Sequence, residues 1–297
     1  HGHTSTVWRV GISPDGRSLV TGSIHNDLRL WSNVVPEEAA RDTVLHSQDG
    51  RWRIFQEATG SHRLMDHEGR QSADLGGNAF AFNRLGTHLV VKQNDGRCEV
   101  LAIEVPGQQP TDTINTTTAW TFETPQDANK LLLSDDAETA VVEFINGRVM
   151  VYHIGKEPTD LGLPTDPKGI PETVTLAEAQ QLAWSQDGHR LLRTCDRMKG
   201  VIIYDLGANT QRRVDWTSES TCVSAGLSGD LLCLGGRHGH VQMFDLARSD
   251  QPIWTTLVHG SWCDSLIVKD GLVFTTSADR KLVLLDQNTG NRHATFG

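Results

Sequence analysis

Short apolar runs alternate with polar turns along this chain, and no helical period runs through them. Val7-Trp8-Arg9-Val10-Gly11-Ile12 leads into Ser13-Pro14-Asp15-Gly16 and the apolar pattern resumes at Leu19-Val20-Thr21. The same order returns in Phe80-Ala81-Phe82, Asn83-Arg84-Leu85-Gly86 and His88-Leu89-Val90-Val91. It returns again in Leu182-Ala183-Trp184, Ser185-Gln186-Asp187-Gly188 and Arg190-Leu191-Leu192, and in 266–268, Lys269-Asp270-Gly271 and Leu272-Val273-Phe274. Runs of this length, bounded by Gly, Asp, Asn and Pro, predict β-hairpins.

A third strand follows many of these hairpins, β-branched and ending on a large apolar residue. Seven such endings are Leu28-Arg29-Leu30-Trp31, Trp52-Arg53-Ile54-Phe55, Cys98-Glu99-Val100-Leu101, Val149-Met150-Val151-Tyr152, Val201-Ile202-Ile203-Tyr204, Val241-Gln242-Met243-Phe244 and Leu282-Val283-Leu284-Leu285. Their mean spacing, closed from the last to the first, is about 42 residues, the length of one four-stranded propeller blade. A sandwich also holds many short strands but has no reason to repeat one phrase at this period.

The phrase Gly2-His3-Thr4, Val7, Val10, Ile12, Ser13-Pro14-Asp15-Gly16, Thr21-Gly22-Ser23 and terminal Trp31 resembles the repeat of the WD-repeat propeller family. The resemblance implies an all-β, seven-bladed β-propeller of four-stranded antiparallel sheets over residues 1–297, closed by the C-terminal strand joining the N-terminal blade. It also implies a cross-strand network of His, Ser or Thr, Asp and Trp. The candidates for it are His3, Thr21, Ser23 and Trp31 in the first repeat, Ser47 and Asp49 in the second, and His259, Thr275, Ser277 and Asp279 in the last. No repeat is complete: His25 stands where Asp is expected, and the second and last repeats end in Phe55 and Leu285. A divergent member is therefore expected, relying on packing between sheets.

Closure is expected from Arg292 to Phe296, after the polar turn 286–291, paired beside the first blade so that no open edge remains. One interval does not fit. Trp31 and Phe55 are only 24 residues apart, too few for four strands and their turns. The repeat around 32–55 is therefore either shortened or incompletely represented near Pro36 to Arg41. Residues 159–172 hold three prolines and read as an exposed loop.

Composition narrows the function. The 37 acidic against 27 basic residues give a formal charge of -10, which opposes binding to a phosphate backbone in the absence of a long basic stripe. Five dispersed cysteines, Cys98, Cys195, Cys222, Cys233 and Cys263, form no Cys-x-x-Cys pair and read as buried thiols of an intracellular, cytoplasmic protein. No apolar run is long enough to span a membrane, so no membrane partner is expected. The acceptor triplet Asn115-Thr116-Thr117 is a common chance match.

Candidate chemistry is sparse. His1 and His3, and His238 and His240, lack a nearby ligand set, so no metal and no cofactor are expected. No nucleophile elbow, phosphate-binding loop or His-Glu-x-x-His occurs, and the adjacent pair Asp135-Asp136 reads as solvated surface. A non-enzymatic, protein-binding scaffold or recognition domain is expected, within a larger chain with covalently linked domains. The alternative is an enzyme with its site in a central channel.

The resemblance implies that the residue two positions before the first core residue of an inner strand reaches the top face, which gives Trp8, Asn78, Thr118, Gln180, Thr221 and Asp264 as contact residues, with Arg9 beside Trp8. Trp8 is the sharpest of them, since an indole offers a large apolar face and one donor. Trp120, Trp184 and Trp262 read as core.

Overall fold

The hairpin turns explain the local architecture. Ser47, Ser134 and Ser185 each donate a hydroxyl hydrogen bond to the aspartate two residues on, Asp49, Asp136 and Asp187. Each hydroxyl also accepts from the backbone N–H five residues on, at Trp52 (2.9 Å), Thr139 (3.0 Å) and Arg190 (2.9 Å). These side chains complete the turn before the strands pair. The fourth turn position has positive φ, 73° at Gly50, 76° at Gly188 and 61° at Ala137. Glycine takes that conformation without strain, whereas Ala137 does so at a cost.

The computed structural model describes residues 7–12, 19–23, 28–30, 43–57, 59–104, 113–162, 181–194, 199–217 and 221–297, with backbone alone at 7–12, 19–23, 28–30, 43–44 and 181. The chain divides into two compact units, one of residues 1–11, 19–33 and 177–297 and one of residues 12–18 and 34–176.

The second unit holds three sheets. In chain order they are β4 (Thr43–His46), β5 (Trp52–Gln56) and β6 (His62–Asp66); β7 (Ala79–Phe82), β8 (His88–Lys92), β9 (Arg97–Glu104) and β10 (Asn115–Glu123); and β11 (Ala128–Leu133), β12 (Thr139–Phe144), β13 (Val149–His153) and β14 (Thr159–Gly162). Ile54, Leu64, Leu89, Val91 and Leu101 form one core from the first two sheets, and Val90, Val100, Leu131, Leu133, Val142 and Phe144 form another from the last two.

The first unit holds β1 (Val7–Ile12), β2 (Leu19–Ser23) and β3 (Leu28–Leu30); β15 (Gln181–Trp184), β16 (Arg190–Thr194), β17 (Gly200–Asp205) and β18 (Thr210–Asp215); β19 (Cys222–Ser228), β20 (Leu231–Gly236), β21 (His240–Asp245) and β22 (Pro252–Leu257); and β23 (Cys263–Lys269), β24 (Leu272–Ser277), β25 (Leu282–Asp286) and β26 (Arg292–Phe296). Its cores again lie between consecutive sheets. Leu192, Val201, Ile203, Leu232, Leu234 and Phe244 make one, and Cys233, Val241, Met243, Leu266, Val273 and Val283 the next. This face-to-face burial of apolar strands supplies the main driving force for the fold.

The expected closed propeller, and the WD-repeat assignment built on it, are corrected by the pairing. Each sheet of three or four strands is open and separate. The C-terminal β26 pairs with β25, Leu282 opposite Phe296 and Val283 opposite Thr295, while β1, β2 and β3 form a sheet of their own. The chain is thus all-β, built of antiparallel sheets, and among the described residues no strand closes one sheet onto another. A strand–turn–strand phrase reports local hairpins, and these are the same whether or not a last strand returns to a first sheet.

The misfit interval has a simple cause. Ser47-Gln48-Asp49-Gly50 joins β4 to β5 as Ser185-Gln186-Asp187-Gly188 joins β15 to β16, so Trp52–Phe55 lies on the second strand of its sheet. The third strand is β6, and Met65 forms an isolated bridge to Gln71 where a fourth strand would lie. The other six endings do fall on third strands, β3, β9, β13, β17, β21 and β25. Thr159–Gly162, expected as part of a loop, is strand β14.

Candidate functional site

The first strand of several sheets opens with a β-bulge, and in β23 the bulged residue is Asp264. The ladder with β24 steps from Cys263 opposite Ser277 to Ser265 opposite Thr276, leaving Asp264 without a partner residue. A bulge re-aims the side chain it carries. In β19 the corresponding step is from Cys222 to Ser224, with Val223 as the extra residue.

Two loops meet beside this bulge. The turn between β20 and β21, Arg237-His238-Gly239, holds the segment between β22 and β23 because the Gly239 carbonyl accepts from the N–H groups of Val258 (2.9 Å) and His259 (3.1 Å). Arg237 donates its backbone N–H to the Thr221 carbonyl at 2.9 Å, and Ala278 donates to the Trp262 carbonyl at 3.3 Å, the same bond in two successive sheets. The Arg237 guanidinium lies over the Trp262 ring, 4.3 Å from its centroid. Trp262 is 39% exposed, unusual for an indole in a sheet protein and contrary to the core role expected for it. Trp120 and Trp184 are partly buried, and Trp120 donates its indole N–H to the Ala137 carbonyl at 2.8 Å.

Asp264 is half-buried, and burial pushes its carboxyl up to about 7; the negative charge of Asp279 adds to this, while a hydrogen bond from the Ala278 backbone opposes it. Its Oδ2 is buried without a hydrogen-bond partner. A carboxylate oxygen so placed is costly.

Beneath the loop, His259 is fully buried and bonded at both ring nitrogens. Nδ1 lies 3.2 Å from the Asp279 carboxylate and Nε2 lies 2.9 Å from Thr275 Oγ1, which donates to the Val283 carbonyl at 3.2 Å. Asp279 also accepts from the Gly260 N–H at 3.0 Å and donates its own N–H to Ser277 Oγ at 3.1 Å. Burial lowers the His259 pKa, against the opposing pull of Asp279. Asp279 is itself held below the usual carboxylate range, by the Gly260 N–H foremost, although burial acts the other way. The group holds the segment at His259 and Gly260.

The other expected network residues are placed differently. Ser47 and Asp49 lie in the turn between first and second strands, not in a cross-strand network. Thr21 and Ser23 are on β2, where the backbone alone is described, and His3 and Trp31 lie outside the described residues.

Among the expected contact residues, Thr221 immediately precedes β19 and Asp264 is the second residue of β23, each at the opening of the first strand of its sheet in the first unit. Trp8 and Arg9 are on β1, with backbone alone described, and Gln180 lies outside the described residues. In the second unit Asn78 precedes β7 and is exposed, donating from Nδ2 to Asn94 Oδ1 at 3.0 Å. Thr118 is in the middle of β10, the fourth strand of its sheet, opposite Leu101 and away from any first-strand opening. Arg237 was not singled out by sequence pattern, and its position after the glycine pair Gly235-Gly236 is the signal that could have found it.

The cysteines Cys98, Cys222, Cys233 and Cys263 are buried and not joined in disulfides. Burial raises Cys98 and Cys263 to about 12 and Cys233 well above its ordinary value, so these thiols are poor nucleophiles. Among the described residues no group of three or more His, Cys, Asp or Glu is placed to hold a metal ion, and no helix is long and apolar enough to cross a membrane.

In comparisons with known proteins, no family model matches the chain and none of the curated proteins matches it.

Proposed function

We propose that this chain is a protein-recognition domain whose contact surface, in the first unit, is the loop end of the β19–β22 and β23–β26 sheets. The observation that carries the reading is the exposed Trp262 indole held under the Arg237 guanidinium. Tryptophan and arginine are the residue types most enriched at the energetic centres of protein interfaces. A stacked pair loses little side-chain entropy when covered, since its geometry is fixed in advance.

The supporting scaffold is rigid. Two backbone bonds from 258–259 to Gly239 and the buried His259 group hold the loop on well-packed strands. A loop fixed in this way presents the same surface to each encounter.

The test is quantitative affinity capture from the native cell with the full chain, its Trp262→Ala and Arg237→Ala variants, and Ile145→Ala as a control at an exposed residue of the other unit. Partners retained by the parent and the control but depleted at least about tenfold by the first two variants are the expected result. Identical capture by all four chains would overturn this surface as the contact site.

A further inference from the structure

We infer that this chain self-associates through β22, the strand pairing antiparallel with β22 of a second copy about a two-fold axis at Thr255. The strand is the last of its sheet, and among the described residues no strand lies on its far side. Val258 donates its N–H inward, to the Gly239 carbonyl at 2.9 Å. Backbone groups alternate in direction along a strand, so those of Thr256 also face β21 while those of Thr255 and Leu257 face outward. Pro252 and the bulge between Pro252 and Trp254 lie at the start of the strand and leave 254–257 regular.

Its two faces differ. Trp254 donates its indole N–H to the Gln287 carbonyl at 3.0 Å, and Trp254 and Thr256 close around Gly290, where a Cβ would lie 2.7 Å from the indole. On the other face Ile253, Thr255 and Leu257 are exposed, Ile253 at 51% and Leu257 at 60%. Edge strands are ordinarily kept from pairing by charge. Glu123 on β10, Asp160 on β14, Arg212 and Arg213 on β18 and Arg292 on β26 supply it on the other fourth strands. No charged residue stands anywhere in 251–258.

The occupant follows from this pattern. Apolar residues two positions either side of Thr255 make the edge complementary to itself. Turned antiparallel about Thr255, it sets Ile253 of each copy against Leu257 of the other and threonine against threonine, pairs that stabilise a ladder. The outward N–H and C=O groups of the two Thr255 residues are then exchanged. A shift of one residue would break the apolar match. Charge agrees with this direction. Asp250, exposed although paired with Arg212, precedes the strand, and Arg292 donates to the Val258 carbonyl at its end (2.9 Å), so an antiparallel pair sets acid toward base where a parallel pair would oppose like charges. Six residues a side make a contact below the about 1,200 Å² of standard interfaces, so the dimer is weak and reversible.

Sedimentation equilibrium of the full chain at concentrations up to about 1 mM tests the proposal. The expected result is a reversible rise toward twice the chain mass, weakened at least about tenfold in Leu257→Lys and in Ile253→Lys, each of which sets a charge against an apolar residue of the other copy at an exposed position. Cross-linking reads the register. With oxidised glutathione as oxidant, Thr255→Cys should join two copies by a disulfide, since the Cα atoms of a hydrogen-bonded pair lie about 5.5 Å apart, and Ile145→Cys, at an exposed residue of the other unit, should not. A chain that stays monomeric throughout, association indifferent to Leu257→Lys, or equal cross-linking of the two cysteine variants would each overturn it. Self-association and partner capture by the Trp262 surface are separate readouts, so either can fail while the other stands.

Discussion

The Arg237 guanidinium rests 4.3 Å from the centroid of the Trp262 ring, joining the turn after β20 to the segment before β23. An exposed cation–π pair contributes about 0.5–1 kcal/mol. Trp262→Ala and Arg237→Ala are each expected to lower stability by roughly that amount, and the double variant by less than the sum of the two. Chemical denaturation of the four chains measures the coupling; strictly additive losses would mean that the stack contributes nothing.

A larger effect is expected beneath the loop. Thr275→Val removes the hydroxyl at His259 Nε2 and leaves a fully buried ring nitrogen without a partner. The expected cost is about 1–3 kcal/mol, against a near-neutral change for Thr121→Val at an exposed position of β10. The same group predicts acid sensitivity. The folded-state pKa of His259 is lowered by burial, so the unfolded chain binds more protons as pH falls through 6.5, and stability is lost in that direction. Asp279, also lowered, adds to the loss at still lower pH. Thermal melting from pH 8 to pH 4 should show a decline that is shallower in His259→Gln; parallel profiles would exclude this origin.

Hairpins were legible in the sequence because their turns are spelled in local chemistry: Ser185-Gln186-Asp187-Gly188 carries both the bonding side chains and the positive-φ residue. The six correctly placed third strands follow from that. Trp52–Phe55 misled because a β-branched strand ending on an aromatic occurs at second as well as third positions, and only the preceding serine turn distinguishes them. Closure was not legible, since pairing of β26 with β25 or with a distant sheet depends on three-dimensional placement and not on the residues of 292–296. Asp264 was singled out through the resemblance, which carried no sign of its bulge or its orphaned oxygen. Trp262 was assigned to the core because indoles are usually buried, and its exposure arises from a loop fixed by Gly239 and His259.

Gly239 is the position where that loop is most easily broken. Its φ is +79°, and a Cβ there would run into the carbonyl of His259. Gly239→Ala carries both the left-handed backbone penalty, about 1–2 kcal/mol, and a backbone clash that a side-chain movement cannot relieve. The expected outcome is a loss well above that penalty, with the Trp262 indole resonance shifted. Gly229, at φ +55° with open space around its missing Cβ, supplies the comparison. A Gly229→Ala chain should lose only the backbone term, and equal losses at both sites would show that the contact with His259 does not matter.

Asp264 gives the opposite pH dependence from His259, and the two can be separated by it. With its folded-state carboxyl raised to about 7 by burial, the folded chain holds a proton there that the unfolded chain has released above its ordinary carboxylate range. Stability on this account is lost as pH rises from about 4 to about 7, by at most about 1.4 kcal/mol for each pH unit in that window, and the loss is complete above it. Asp264→Asn removes the titration while keeping an oxygen for the Ala278 N–H. The melting temperature of Asp264→Asn relative to the parent should therefore rise between pH 4 and pH 8, whatever its offset at the acid end. A constant difference across that range would place the carboxyl in ordinary solvent.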